Sequence, residues 1–269
     1  MPKNLSLTLV QPNLIWESPV DNYRNLNKQL SKIGKGETDV VVLPEMFSTG
    51  FSMNAKKLAE EMEGPSMQWM FETSQGLKSA ICGSLIIKEE KKYYNRFIWM
   101  EPDGHYDFYD KRHLFRMAKE EKVYTASKEG FVIEYKGWGF CPMVCYDLRF
   151  PVWSRNRLLG KGVKAKYDYD VLLYVANWPA IRSYAWEHLL YARAIENQAY
   201  VAGVNRVGKD GNDIEYTGDS MLVNPLGEKI SSIKSKKAAI ETIELNWKAL
   251  QDIRAKFPVL LDADEFGLI

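Results

Sequence analysis

The feature that most constrains this chain is a change of hydrophobic period that recurs along its length. Leu5, Leu7 and Leu9 alternate with Ser6, Thr8 and Val10, the two-residue period of a strand, before the turn-prone Gln11-Pro12-Asn13. The next segment adopts the helical period. Ser18 suits an N-cap and Pro19 a first helical position; Val20, Tyr23, Leu26, Leu30 and Ile33 share a face, and Gly34 supplies the stop. Residues 39–43 form a short apolar run closed by Pro44, which reads as a buried strand. The unit then repeats. Gly64-Pro65-Ser66 opens a helix carrying Met67, Met70, Phe71, Ser74 and Leu77 on one face, and residues 80–87 return as a strand.

Further on, residues 94–101 and 105–110 flank Pro102-Asp103-Gly104 and predict a hairpin. A loop over 111–130 precedes strands at 131–135 and 139–145; residues 169–175 and 200–204 are strands around a helix at 182–197. The Lys209-Asp210-Gly211-Asn212 and Asn224-Pro225-Leu226-Gly227-Glu228 turns mark hairpins, and residues 246–256 a last helix. No linker, low-complexity tract or shift of composition interrupts the 269 residues. The pattern therefore predicts one α/β domain over 1–269, with two sheets packed face to face and helices outside.

Composition narrows the partners. The 36 Lys and Arg nearly cancel 35 Asp and Glu, leaving a net charge of +1, which gives no field for nucleic acid or an anionic membrane and points to a small-molecule partner. No apolar run reaches the ~20 residues that span a bilayer, and the stretch from Leu5 to Val10 is short for a signal peptide. A cytoplasmic protein is expected. Its three cysteines, Cys82, Cys141 and Cys145, then read as reduced thiols. Cys141 and Cys145 have no histidine within twenty residues, so a metal site is not expected.

Three positions are candidates for chemistry. Glu45 follows the apolar run that ends at Leu43-Pro44, where open α/β folds place their crevices; a helix-capping or surface glutamate fits the local sequence equally well. Lys111 enters a charged loop after the hairpin, and most such lysines face water. Cys145 ends a strand and precedes Tyr146-Asp147-Leu148-Arg149, the address of a nucleophile held on a sharp turn; an inert buried cysteine is the alternative, and Cys82 and Cys141 fit that alternative well. Taken together, a carboxylate base, an ammonium beside an oxyanion and a thiol on one rim describe acyl transfer by nucleophilic catalysis.

The motifs around these three residues resemble those of the nitrilase superfamily of carbon–nitrogen hydrolases. They are Leu43-Pro44-Glu45-Met46-Phe47, Asp110-Lys111-Arg112-His113-Leu114-Phe115 and Val144-Cys145-Tyr146-Asp147-Leu148-Arg149-Phe150-Pro151. Similarity extends through Ala176-Asn177-Trp178-Pro179, Arg193 to Gln198 and Val204 to Gly208, nearly the whole chain, and the Lys-Arg-His-Leu-Phe-Arg-Met and Asn-Trp-Pro runs look most like bacterial omega-amidases. The resemblance implies a four-layer α-β-β-α sandwich whose protomers pair across a face as a homodimer or higher oligomer. It implies Cys145 as nucleophile, Glu45 as general base, and Lys111 with the backbone N–H of Tyr146 as oxyanion stabilisers, without a cofactor. It also implies a second glutamate, matched by Glu120 with Glu121 as runner-up.

For the substrate, the resemblance implies the terminal amide of short 2-oxo dicarboxylic monoamides such as 2-oxoglutaramate and 2-oxosuccinamate. The far carboxylate then needs a cation. Arg149 is the matching candidate, unless it pairs with Asp147 or a helix carboxylate, and Arg116 and Arg182 are weaker ones. Trp178, Phe47 and Tyr146 are candidate pocket walls, and Arg193 and Glu196 a supporting ion pair on one helix. Deaminated glutathione, an N-carbamoyl compound or a nitrile is the alternative substrate, and a catalytically idle scaffold or binding module the alternative of another class.

Overall fold

The alternation of Leu5, Leu7 and Leu9 is realised as an inner strand of a two-sheet sandwich in a computed structural model that describes residues 2–160 and 166–267. In chain order the elements are β1 (Leu5–Gln11), α1 (Pro19–Leu30), β2 (Val40–Val42), α2 (Ala55–Leu58), α3 (Pro65–Leu77), β3 (Ala80–Glu89), β4 (Lys92–Met100) and β5 (Tyr106–Asp110). There follow β6 (Ile133–Tyr135), β7 (Trp138–Val144), β8 (Leu158–Leu159), β9 (Lys166–Tyr167), β10 (Val171–Val175), α4 (Ser183–Asn197) and β11 (Tyr200–Val204). The chain ends with β12 (Val207–Lys209), β13 (Glu215–Thr217), β14 (Met221–Val223), β15 (Ala239–Leu245) and α5 (Trp247–Lys256).

One sheet has the order β15-β1-β2-β3-β4-β5 and the other β14-β11-β10-β7-β6. The two-residue period decides which side chain goes to which layer. Leu7 and Leu9 of β1, Val40 and Val42 of β2, and Ala80 and Cys82 of β3 face the second sheet. There they meet Phe140 and Val144 of β7, Val171, Leu173 and Val175 of β10, and Ala202 and Val204 of β11. Their neighbours Val10, Val41 and Ile81 point the other way, against Leu26 and Leu30 of α1 and Met67 and Met70 of α3. On the far side, Met143, Leu172, Tyr174 and Val201 pack against Trp186, Leu190 and Ala194 of α4. The result is the α-β-β-α layering that the resemblance implies.

Several local expectations shift. On α1, Val20 is exposed and the inward position is taken by Asn22, whose side chain accepts from the N–H of Ile15 and donates to the carbonyls of Ile15 and Ser48. The helix ends at Leu30, three residues before Ile33. Strand β15 lies outside the elements predicted from the sequence; it pairs antiparallel with β1 from Leu5↔Leu245 to Gln11↔Ala239 and forms the edge of the first sheet. Two 3-10 turns, Arg116–Ala118 and Glu120–Lys122, fold the loop after β5 back toward the sandwich.

Candidate active site

The ends of strands from both sheets deliver the site. β2 ends at Val42, and the chain turns so that Met46, with φ of 44°, lets Glu45 point into the protein while its own N–H donates to Ser84 Oγ at 2.9 Å. β7 ends at Val144, one residue earlier than predicted, and Cys145 opens the 3-10 turn Cys145–Arg149 with φ of 46°. A non-glycine residue in this left-handed region costs on the order of 1 kcal/mol, a strain tolerated where the surrounding structure fixes it, as at nucleophile turns. β10 ends at Val175 and carries Asn177 to the same rim. Lys111 comes from the end of β5.

Glu45, Lys111 and Glu120 are all buried, and Lys111 Nζ donates to Glu45 Oε1 at 2.8 Å and to both Glu120 oxygens at 3.1 Å. Three ionised groups out of water are stable only when each is paired and hydrogen-bonded. Asn95 Nδ2 supplies further bonds, to Glu45 Oε1 at 2.7 Å and to Glu120 Oε1 at 3.2 Å, and is oriented by Ser84 Oγ donating to Asn95 Oδ1 at 2.8 Å. The N–H of Asn177 reaches Glu45 Oε2 at 2.9 Å, and that of Phe115 reaches Glu120 Oε2 at 2.6 Å.

Burial opposes the Lys111 charge, but Glu120 and then Glu45 outweigh it and hold its pKa above the ordinary lysine value. Burial pushes the Glu120 carboxyl up, and Lys111 draws it down without cancelling the effect. The Cys145 thiol is also pushed well above the ordinary value, first by burial and then by the Glu45 carboxylate, against the pull of Lys111. The thiol is therefore protonated at neutral pH, and it sits within reach of the Asn177 carbonyl at 3.9 Å.

Glu45, Lys111, Cys145 and Asn177 line a cavity of about 600 Å³, within the range of small-molecule sites. Arg149 lines it with its guanidinium 5.1 Å over the Trp178 ring, and among the described residues it has no carboxylate partner; Asp147 is engaged elsewhere. Arg182 lines the same cavity and contacts Met117 Sδ at 3.0 Å and the Phe115 ring at 5.5 Å, whereas Arg116 is exposed and outside the lining. Tyr146 and Trp178 form walls. Phe47 does not: it is turned into the outer layer against Trp69 of α3, because it lies on the opposite side of the turn from Glu45. Arg193 pairs with Glu196 at 3.0 Å and also donates to the Leu148 carbonyl at 2.6 Å, fastening α4 to the cysteine turn.

The structure thus brings Glu45, Lys111, Cys145, Tyr146, Arg149 and Trp178 to one cavity; Glu120 is outside the lining and joins the site through its bonds to Lys111, which Glu121 does not share. Residues that the sequence reading missed are Asn95 and Ser84. The available signal was slight, since Asn95 stands beside Arg96 just before the apolar run Phe97 to Met100 of β4. Among the described residues, no group of three or more His, Cys, Asp or Glu side chains is arranged to hold a metal ion.

Residues 6–255 match the profile of the carbon–nitrogen hydrolase family. The chain is 48% identical over 266 residues to the omega-amidase YafV of Escherichia coli K12, covering 98% of both chains. It is 30% identical over 261 residues to the 2-oxoglutaramate amidase of Bacillus subtilis 168, covering 96% of both. Among solved structures, XC1258 of Xanthomonas campestris, a CN-hydrolase superfamily protein with an arsenic adduct in its active site, superposes with a TM-score of 0.95 at 43% identity over 99% of both chains.

Proposed function

The chain belongs to the carbon–nitrogen hydrolase family of the nitrilase superfamily and is an amidase, and from that premise we propose the omega-amidase reaction. A short 2-oxo dicarboxylic monoamide, 2-oxoglutaramate or 2-oxosuccinamate, is hydrolysed at its terminal carboxamide to the dicarboxylate and ammonia. One carbon–nitrogen hydrolase domain spans residues 1–269. The observation that carries the reading is a cavity lined by Glu45, Lys111, Cys145 and an arginine, Arg149, without a carboxylate partner among the described residues, with Lys111 also paired to the buried Glu120 outside the lining.

Glu45 takes the proton of the Cys145 thiol, and the thiolate attacks the carboxamide carbon. The carbonyl oxygen becomes an oxyanion facing Lys111 Nζ and the N–H of Tyr146, which lies in the first turn of a helical segment, where N–H groups lack intrahelical partners. Glu45 returns its proton to the nitrogen, the carbon–nitrogen bond breaks, and ammonia leaves a thioester. Water then gives a proton to Glu45 and its oxygen to the acyl carbon; collapse releases the acid and restores the thiol. Glu120 touches Lys111 and keeps the ammonium aimed at the oxyanion. Arg149, on the Trp178 face, takes the far carboxylate as a bidentate pair.

The three free thiols suit a reducing cytoplasm, and among the described residues no helix is long and apolar enough to cross a membrane. We place the protein as a homodimer joined through the outer face of α4. Tyr184, His188, Tyr191 and Ile195 recur there at helical spacing, with Tyr184 and Ile195 74% and 54% exposed. The test of the reaction is ammonia release from 2-oxoglutaramate by wild type, Cys145→Ala and Arg149→Met. Wild type turns over, Cys145→Ala is inactive without an acyl adduct, and Arg149→Met loses roughly tenfold or more in kcat/KM, chiefly through KM. Turnover by Cys145→Ala, or ammonia from none of the amides in a panel, overturns the reading.

A further inference from the structure

Asp147 is fully buried and has no lysine or arginine partner among the described residues, yet its carboxylate collects four donors. Oδ2 accepts from the N–H of Val144 at 3.0 Å and from Tyr109 Oη at 2.9 Å; Oδ1 accepts from the N–H of His113 at 2.9 Å and meets His113 Nδ1 at 2.7 Å. These donors belong to two different pieces of the site. Val144 is the residue before Cys145, while His113 lies two residues after Lys111. Tyr109, at the end of β5, reinforces the same junction, since its Oη accepts from the N–H of Arg112 at 3.0 Å and from Trp153 Nε1 at 2.9 Å.

The His113 ring is fixed from its face as well, stacked on Phe150 at a centroid distance of 3.8 Å and 8°. Phe150 follows the Cys145–Arg149 turn, so the ring is clamped to the cysteine segment by one edge and one face. His113 is outside the cavity lining, which separates it from any contact with substrate.

From this geometry we propose that His113 and Asp147 form a positioning pair for the reaction: they lock the lysine loop to the cysteine turn, so that the Lys111 ammonium, the Tyr146 N–H and the Cys145 sulfur keep the register that the tetrahedral intermediate requires. Neither residue touches the reacting atoms. The cost of losing such a lock falls on the transition state, where a misplacement of about 1 Å is worth on the order of 100-fold. The ground-state hold on the far carboxylate, at Arg149, is left intact.

The proposal rests on the roles given above to Lys111 and Cys145, and the experiment keeps the two apart. Steady-state kinetics on 2-oxoglutaramate are measured for wild type, His113→Phe, His113→Asn, Asp147→Asn and Cys145→Ala, with thermal unfolding of each. His113→Phe keeps an aromatic face for Phe150 and removes the Nδ1 donor; His113→Asn places an amide N–H near the Nδ1 position. The expected result is a kcat lowered ten- to a hundredfold in His113→Phe, with KM within about twofold of wild type. His113→Asn restores most of the lost kcat, and Asp147→Asn follows His113→Phe. Wild-type kcat in His113→Phe overturns the proposal, as does a loss that appears in KM, or a loss that His113→Asn does not restore although it melts like wild type. An active Cys145→Ala overturns instead the functional reading on which the proposal stands.

Discussion

Three donors converge on the Glu45 carboxylate from three separate stretches of chain: Lys111 Nζ, Asn95 Nδ2 and the N–H of Asn177. The convergence explains what one substitution does. Glu45→Gln keeps an acceptor for Lys111, and Lys111 keeps Glu120, so the fold loses only about 1–2 kcal/mol, well short of the ~3–5 kcal/mol for stranding a buried charge. Turnover, in contrast, is lost. The same change removes the negative charge beside Cys145, and because that charge raises the thiol pKa, the thiolate forms at a lower pH in Glu45→Gln than in wild type. Thiolate absorbance, measured as a difference from Cys145→Ala, reads the midpoint; an unmoved or raised midpoint shows that Glu45 does not act on the thiol. Glu45, Lys111 and Cys145 were legible in the sequence because each closes or follows a strand and carries a local motif. Asn95, Ser84 and the Asp147–His113 contact were not, because they act across 11 to 50 positions of sequence and only folding brings the partners together.

At the scale of elements, strands with apolar runs or clean alternation, such as β1, β2, β10 and β11, were readable because one face or both must be buried. β15 was not. It is an edge strand held on one side by β1, with Glu241 and Glu244 among its residues, so its composition resembles a solvated loop. α4 shows how tightly the readable elements fit. A Cβ on Gly203 of β11 would stand 2.5 Å from Leu190 Cδ1 and 2.8 Å from Trp186 Cζ2, both on the buried face of α4. Gly203→Ala therefore forces the helix off the sheet and costs about 1–3 kcal/mol, which for a chain of this size lowers Tm by roughly 2–4 °C per kcal/mol. Calorimetry checks it; an unchanged or raised Tm means that α4 yields without cost. The displaced helix also carries Arg193, so the cysteine turn loses part of its support at Leu148.

For the whole molecule, a net charge of +1 supplies no long-range attraction for an anionic substrate, so in the proposed reaction recognition rests on local cations such as Arg149, which lines the cavity together with Arg182. That places weight on whatever holds the cavity mouth. The segment Ala180–Arg182 lines the cavity and runs directly into α4, and Ile181 on it is 88% exposed. Along the same helix, Tyr184, stacked on His188, leads to Ile195, against which the Leu226-Gly227 turn lies, with Leu226 58% exposed. Exposed apolar and aromatic side chains, with His188 among them, thus recur from the cavity lining along α4, the face across which the proposed dimer forms. Glutamates at Tyr184 and Ile195 place two charges in that interface, and burying unpaired charge is far costlier than losing apolar contact. The double substitution Tyr184→Glu with Ile195→Glu is expected to sediment as a monomer where wild type sediments as a dimer. Its own fold is little affected, since both positions are more than half exposed. KM for 2-oxoglutaramate then rises severalfold, as Ala180–Arg182 loses the support of the partner. A wild type that sediments as a monomer, or a double variant that remains a dimer, removes α4 as the interface; a monomer with unchanged KM shows that the cavity mouth is complete within one chain.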